Sequence, residues 1–160
     1  MRHSFLMLFA VASLVSCRSA PTPLAPGEAT VVTVVDGDTI IVTIDGVKEN
    51  VRLLGINTPE TVKRNWPIEC YGPEASKLTK SLLPPGTAVR LERDIEARDA
   101  YNRLLAYVYR KDDDLFINLE LVRQGDAREL SFKPNTAHAT DFHNAALEAQ
   151  TANRGLWKSC

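Results

Sequence analysis

Two short stretches of the chain hold residue types that could act together on one ion and one substrate. DGD (36–38) offers two carboxylates, and RLLGINTPE (52–60) offers a guanidinium, an amide and a carboxylate. Carboxylate and amide oxygens are ligands that hard divalent cations such as calcium accept. A guanidinium donates forked hydrogen bonds to anions such as phosphate, and a carboxylate can take a proton from water. The residues concerned are Asp36, Asp38, Arg52, Asn57 and Glu60.

A predicted hairpin places these five residues at one end of the same pair of strands. Three runs are rich in the β-branched and apolar residues that favour strands: TVVTVV (30–35), TIIVTI (39–44) and VKENVRLL (47–54). Asp45-Gly46 has the composition of a two-residue hairpin turn. With that turn, Asp38 lies opposite Leu53 and Asp36 opposite Gly55, so the acidic loop and the following bend share a neighbourhood.

The same residues also have an ordinary structural explanation. In LLGINTPE (53–60), Thr58 has the side chain of a helix N-cap and Pro59 suits the first helical position. Glu60 favours the positive end of a helix dipole. Taken alone, this stretch predicts a strand that runs into the start of a helix, and the DGD loop has the composition of a common turn.

The start of the chain has the composition of an export signal. Two basic residues precede an uncharged run (4–16) that is too short to span a bilayer but suits the apolar region of a signal. The run ends in LVSC (14–17), which resembles a bacterial lipobox. We therefore expect a signal peptide over residues 1–16 and a lipid on Cys17. An ordinary secretory signal followed by an incidental cysteine is the alternative.

A proline-rich tether is expected between the lipid and the folded domain. Residues 18–28 contain three prolines, which prevent regular structure and favour an extended chain. We expect the tether to cover residues 17–28 and the folded domain residues 29–160. The predicted location is the cell membrane or outer membrane of an exported lipoprotein, with secretion as the alternative.

The remaining cysteines are predicted to form a disulfide. With Cys17 assigned to lipid, Cys70 and Cys160 remain in a protein expected in a compartment where disulfides persist. A zinc site is less favoured because the cysteines lack C-x-x-C spacing and a nearby histidine pair. His138 and His143 are expected to be separate surface residues, since positions five apart on a helix point in different directions.

Composition and charge indicate one ordinary globular domain. Apolar residues make up 44% of the chain and charged residues 24%, which is enough for a core. The formal net charge of −1 argues against a protein coated in positive charge for tight non-specific nucleic-acid binding. Any anion site must therefore be local.

The rest of the pattern predicts a small α+β fold that is mainly β. Helices are expected at three places and two further strands between the first two: helix 72–83, strands 87–94 and 103–110, and helices 115–124 and 137–153. The triple aspartate at 112–114 is expected to be a solvated turn. Five short strands with about three helices suit an OB-fold, a five-stranded barrel with helices packed on it.

Six motifs, in order and at matching separations, resemble the staphylococcal-nuclease-like (thermonuclease) family. They are DGDT (36–39), RLLGINTPE (52–60), YGPEAS (71–76), YNRLLAYVY (101–109), LVRQG (121–125) and KPN (133–135). The resemblance covers residues 30 to 157. It implies an OB-fold barrel and a calcium-dependent phosphodiesterase that acts on DNA and RNA and leaves 3′-phosphates.

The resemblance also implies metal-binding roles. Asp38 matches a direct calcium ligand, the backbone carbonyl of Thr58 matches another, and Asp36 supports them nearby. Asn57 stands where the familiar family pattern has a second aspartate ligand. An amide oxygen can coordinate a hard cation without its negative charge, so we expect weaker calcium binding or tolerance of other divalent ions.

Catalytic and substrate roles carry over in the same way. Glu60 matches the general base for the attacking water, and Arg52 and Arg103 match the arginines that hold the phosphate. Tyr101 matches a phosphate-contacting tyrosine, and Asp99 an acidic neighbour on its loop. The chain departs from the pattern at Leu130 and Phe132, which replace tyrosines packed around the nucleotide, and at Ala100, which replaces a lysine.

Two hypotheses follow. The first is an exported, lipid-anchored, divalent-metal-dependent nuclease that acts as a monomer and prefers single-stranded or frayed DNA and RNA. The second is a non-catalytic OB-fold module that binds nucleic acid or a protein partner through a degraded metal site. Asn57 is the residue that supports the second hypothesis.

Overall fold

The fold begins with three strands that pair antiparallel to one another in chain order. They are β1 (Glu28–Asp36), β2 (Thr39–Ile44) and β3 (Val47–Leu53). The computed structural model describes residues 27–61 and 67–160. The signal peptide, Cys17 and the tether up to residue 26 lie outside the described residues, so those expectations stay predictions.

The hairpin of β2 and β3 has the register that the sequence predicted. Thr39 pairs with Arg52, and Ile44 pairs with Val47 across the turn. The backbone N–H of Leu53 donates to the carbonyl of Asp38 at 2.9 Å. The acidic loop between β1 and β2 therefore lies beside the end of β3, as the two-residue turn requires.

Five strands close into a barrel. β1 also pairs with β5 (Ala88–Glu92), β5 pairs with β6 (Leu104–Arg110), and β6 lies parallel to β3. A short β7 (Leu115–Phe116) extends β6 at its far end. The predicted α+β class with a five-stranded, OB-fold-like barrel is confirmed.

The described part of the chain has three longer helices and a short C-terminal one. They are α1 (Gly72–Leu82), α2 (Ile117–Gln124), α3 (Ala139–Thr151) and α4 (Leu156–Ser159). α3 packs on α2, while α1 lies against β1. The core is built from aliphatic side chains of the strands together with Tyr107 and Phe142. Among the described residues, no helix is long and apolar enough to cross a membrane.

The bend after β3 is not the start of a helix, so that prediction was wrong. Residues 55–57 form β4 (Gly55–Asn57), which pairs with β8 (Arg128–Leu130), and residues 58–60 have no regular structure. The backbone N–H groups that a helix would leave open are bound by distant carboxylates instead. Thr58 N–H donates to Asp38 at 3.0 Å. The N-cap pattern thus indicated backbone N–H groups that do need acceptors, but it did not identify the carboxylates that bind them.

Gly55 allows the chain to turn from β3 into β4. Its φ is +77°, a left-handed conformation that other residues adopt only with strain. A Cβ on Gly55 would lie 2.1 Å from the ring of Phe142, which comes from α3. The close approach of α3 therefore depends on a residue without a side chain.

Two peripheral predictions have different outcomes. The aspartates at 112–114 form an exposed turn, as expected. His143 is exposed, but His138 is half-buried among aromatic rings, with its ring centroid 4.5 Å from that of Tyr107. The expectation of two surface histidines was wrong for His138, because the start of α3 packs on the barrel there. The structure joins Cys70 to Cys160 by a disulfide.

Candidate functional site

One cavity of about 400 Å³ collects acidic and basic side chains from three separate parts of the chain. It is lined by Asp36, Asp38, Arg52, Asn57, Thr58, Glu60, Glu69, Tyr101 and Arg103. All the residues predicted to bind metal or to be catalytic are in this set. Asp99, predicted as a substrate neighbour, lies behind Arg103, and Glu69 was not predicted at all.

Asp38 is buried at the end of the acidic loop, directly before β2. Its Oδ2 accepts the backbone N–H of Thr58 at 3.0 Å and pairs with Arg52 Nη2 at 3.0 Å. Its Oδ1 accepts the hydroxyl of Thr39 at 3.0 Å. One carboxylate thus fixes the loop, the bend and the guanidinium relative to one another.

Asp36 holds the other end of the bend. Its Oδ1 accepts the N–H of Gly37 at 2.8 Å and the hydroxyl of Thr61 at 2.5 Å. A Cβ on Gly37 would lie 2.6 Å from Thr58 Oγ1, so the bend packs directly on the loop. Both acidic residues are over nine-tenths buried, and their contacts with the bend and the loop, together with the pair of Asp38 and Arg52, compensate for that burial.

Arg52 braces the bend from inside. Its Nη1 donates to the carbonyls of Leu53 at 2.8 Å and Ile56 at 2.9 Å. Its Nη2 donates to Asn57 Oδ1 at 3.1 Å besides pairing with Asp38. Burial lowers the pKa of the Arg52 guanidinium, and the nearby charge of Asp38 opposes that shift.

Arg103 enters the cavity from the loop before β6. Its Nε donates to Asp99 Oδ2 at 2.7 Å, and its backbone N–H donates to Asp99 Oδ1 at 3.0 Å. Burial acts to raise the pKa of Asp99, but the hydrogen bonds from Arg103 outweigh it and leave the pKa lowered. Among the residues that the structure describes, neither Nη atom of Arg103 has a hydrogen-bond partner. The pair with Asp99 therefore orients Arg103 and leaves its forked end toward the cavity.

Exposed aromatic rings border the cavity on the Arg103 side. Tyr101 is 82% exposed, and its ring centroid lies 5.4 Å from Arg103 Cζ. A second cavity of about 390 Å³ shares Arg52, Tyr101 and Arg103 with the first, and Leu130 and Phe132 line it. Leu130 and Phe132, two of the residues that depart from the family pattern, therefore share a cavity with the two arginines.

The donor set suits a hard cation and no softer metal. The described residues contain no cluster of three or more histidine, cysteine, aspartate and glutamate side chains able to hold a metal ion. A metal here would have the carboxylates of Asp38 and Asp36, the Asn57 amide, backbone oxygen and water, which are ligands of calcium and magnesium. The cavity's described lining has four carboxylates and two guanidiniums, a formal excess of two negative charges. A divalent cation would offset that excess before a phosphate enters.

Residues 50–159 match the family described as Staphylococcal nuclease homologue. The chain belongs to this family. It is 44% identical over 125 residues to a thermonuclease of Staphylococcus intermedius, covering 78% of this chain and 73% of that protein. It is 41% identical over 129 residues to a thermonuclease of Staphylococcus hyicus, covering 81% and 75%. Endonuclease YncB of Bacillus subtilis (strain 168) is 40% identical over 125 residues, which span 77% of this chain and 58% of that protein.

These matches confirm the predicted staphylococcal-nuclease-like family and nuclease as the enzyme class. The roles of single residues, the identity of the metal and the location stay predictions. Sequence reasoning missed Glu69, because an isolated carboxylate in IECYG (68–72) carries no periodic or motif signal. Its nearness to Glu60 arises only when the chain folds back after the bend.

Proposed function

We propose that this protein is an exported nuclease that hydrolyses phosphodiester bonds of DNA and RNA with a divalent metal, using water activated by Glu60. One observation carries the proposal: Glu60 and Arg103 line the same cavity as the buried pair of Asp38 and Arg52. Proton acceptor, anion donors and hard-cation ligands are the three elements that phosphodiester hydrolysis requires.

Glu60 is the candidate general base. Its side chain lies at the cavity, and Oε1 accepts the backbone N–H of Thr61 at 3.0 Å. That bond helps to orient the carboxylate at the cavity. A water held there would lose one proton to Glu60 as its oxygen bonds to phosphorus, and the bond from phosphorus to the leaving nucleotide oxygen would break, with that oxygen taking a proton from solvent.

Arg103 and Arg52 are the candidate phosphate donors, and they are not equivalent. Arg103 presents its Nη atoms to the cavity, so it can receive a phosphate without giving up a bond to the described protein. Arg52 has both Nη atoms bonded to the bend, to Asn57 and to Asp38. We infer that Arg103 makes the first contact with the substrate, while Arg52 contributes mainly charge until Nη2 is released.

Calcium is the proposed metal, with other divalent ions as possible substitutes because Asn57 lacks a charge. Asp38, Asn57 and Thr58 would hold it and Asp36 would support it, and a metal ion there supplies Lewis-acid stabilisation of the phosphate. Asp38 Oδ2 and Asn57 Oδ1 now accept hydrogen bonds from Arg52. A cation would therefore compete with Arg52 Nη2 for the same oxygens.

Single-stranded or frayed DNA and RNA are the proposed substrates. Tyr101 and Phe132 are 82% and 68% exposed, and both rings border the arginine side of the site. Exposed rings can stack on bases that are not already stacked in a duplex. A monomer is the proposed active form.

Export is proposed from two separate features. The lipobox-like LVSC (14–17) supports lipid attachment at Cys17 and a membrane location in the cell envelope, with secretion as the alternative. The disulfide between Cys70 and Cys160 suits a compartment outside the cytoplasm.

The proposal is tested with purified residues 18–160 on single-stranded DNA and RNA in calcium, magnesium, manganese or EDTA. We expect cleavage with calcium, none with EDTA, and strong loss in Asp38→Asn. Asp112→Asn is the matched control, because Asp112 lies on the exposed turn and lines neither cavity of the site. Intact substrates under every metal condition would refute the proposal.

A non-catalytic binding module is the second candidate function. It is favoured by one observation, the hydrogen bond from Arg52 to Asn57 Oδ1, which occupies the oxygen that a metal would need. The two candidates separate in a melting experiment, because a ligand that binds the folded state raises the melting temperature. Millimolar calcium should raise it for the nuclease and leave it unchanged for a module without a metal site.

A further inference from the structure

Glu69 contacts the backbone of Glu60 at two points. The Glu60 N–H donates to Glu69 Oε2 at 3.1 Å, and the Glu69 N–H donates to the Glu60 carbonyl at 3.0 Å. Residues 58–60 belong to no helix or strand, so individual hydrogen bonds rather than a ladder place them. These two bonds hold the backbone of Glu60 next to Glu69.

Glu69 is itself anchored on its C-terminal side. Its carbonyl accepts the N–H of Gly72 at 3.0 Å, at the first residue of α1. The next residue, Cys70, is bonded to Cys160. A Cβ on Gly72 would lie 3.0 Å from the carbonyl oxygen of Glu60, so the start of α1 packs on the bend itself. The segment of Glu69 is thus a fixed surface against which Glu60 rests.

The Glu69 carboxylate also lines the cavity beside Glu60, which leaves two chemical roles to separate. As an acceptor of the Glu60 N–H it needs only an oxygen lone pair, which a glutamine also has. As a base or a metal ligand it would need its negative charge. Glu69→Gln keeps the first property and removes the second, whereas Glu69→Ala removes both.

We propose that Glu69 is a positioning residue for Glu60, holding its backbone so that the Glu60 carboxylate faces the cavity. The catalytic part of this inference rests on the proposed function of Glu60. The structural part does not, because it concerns the Glu60 N–H alone. Misplacing a catalytic group by about 1 Å can cost ~100-fold in rate. We therefore expect loss of the hydrogen bond that positions Glu60 to lower the turnover rate.

The test compares Glu69→Ala and Glu69→Gln with wild type and with Glu148→Ala, an exposed residue of α3 that lies outside the cavity. Steady-state cleavage of single-stranded DNA with calcium gives kcat and KM. We expect Glu69→Ala to lower kcat about 10- to 100-fold with little change in KM. Glu69→Gln should recover kcat to within about threefold of wild type, since its amide oxygen can accept the same bond.

Amide hydrogen exchange at Glu60 supplies a readout that does not depend on activity. We expect the Glu60 N–H to exchange about tenfold faster in Glu69→Ala and near the wild-type rate in Glu69→Gln and Glu148→Ala. If wild type cleaves nothing, the proposed function fails while the exchange result still tests the contact. A Glu69→Gln variant as slow as Glu69→Ala would overturn the proposal, and so would unchanged exchange at Glu60.

Discussion

Replacing Asp126 by asparagine should stabilise the protein at neutral pH. Asp126 follows α2, and only 5% of its surface is exposed. Burial, reinforced by the nearby charge of Glu74, raises the pKa of its carboxyl to about 6. Ionised Asp126 is therefore costly in the folded protein, and asparagine imitates its neutral form without that cost.

The magnitude follows from the difference in pKa between the folded and unfolded states. An unfolded aspartate has a pKa of ~3.9, and each unit of difference corresponds to ~1.4 kcal/mol. Below pH ~4 the carboxyl of Asp126 is protonated in both the folded and the unfolded protein, so the folded state does not bear the cost of a buried charge. As the pH rises through about 6, the folded state loses that proton and the free energy of unfolding falls by about 3 kcal/mol.

Urea denaturation followed by circular dichroism at several pH values measures this effect. We expect Asp126→Asn to match wild type near pH 4 and to exceed it by about 2–3 kcal/mol at pH 7.5. Asp112→Asn, on the exposed turn, serves as the control and should follow wild type throughout. A difference between Asp126→Asn and wild type that does not grow with pH would show that the folded protein does not raise the pKa of Asp126.

Three further changes probe other parts of the molecule. Asn57→Asp adds a charge to the proposed ligand set and should tighten calcium binding about tenfold, or ~1.4 kcal/mol, by calorimetric titration; unchanged affinity would show that residue 57 is not a ligand. Reducing the bond between Cys70 and Cys160, which are 90 positions apart, should lower the free energy of unfolding by about 2–4 kcal/mol, and an unchanged urea midpoint would speak against it. Gly55→Ala should cost about 2–4 kcal/mol, because of its φ of +77° and the ring of Phe142; a melting temperature equal to wild type would be inconsistent with that contact.

The hairpin was predictable because its determinants are local. β-branched runs and the turn at Asp45-Gly46 fix the pairing of β2 with β3. That pairing places Asp38 beside Leu53, the last residue of β3. The cavity then follows, since Arg52 and Asn57 are on the same strand end and the bend after it. Arg103 lies outside this hairpin, so only the collinear family motifs predicted its place in the site.

Contacts between segments that are distant in the chain could not be predicted from the sequence. β4 and β8 have three residues each, too few to show a period, and they pair only because the barrel brings them together. The bend at Thr58 showed the composition of a helix cap, but Asp38 supplies the acceptor that a helix cap would otherwise provide. Glu69 was missed for the same reason, because its contact with Glu60 forms only in the folded chain.

We propose that Glu60 takes the proton from the attacking water, and single-turnover cleavage measures that chemical step. Glu60→Gln keeps the size of the side chain and removes its basicity, and Glu148→Gln is the control on the exposed face of α3. With saturating enzyme, single-stranded DNA and calcium, we predict that Glu60→Gln slows the chemical step about 100- to 10,000-fold while leaving substrate affinity nearly unchanged. A Glu60→Gln rate equal to those of wild type and Glu148→Gln would show that Glu60 is not the general base.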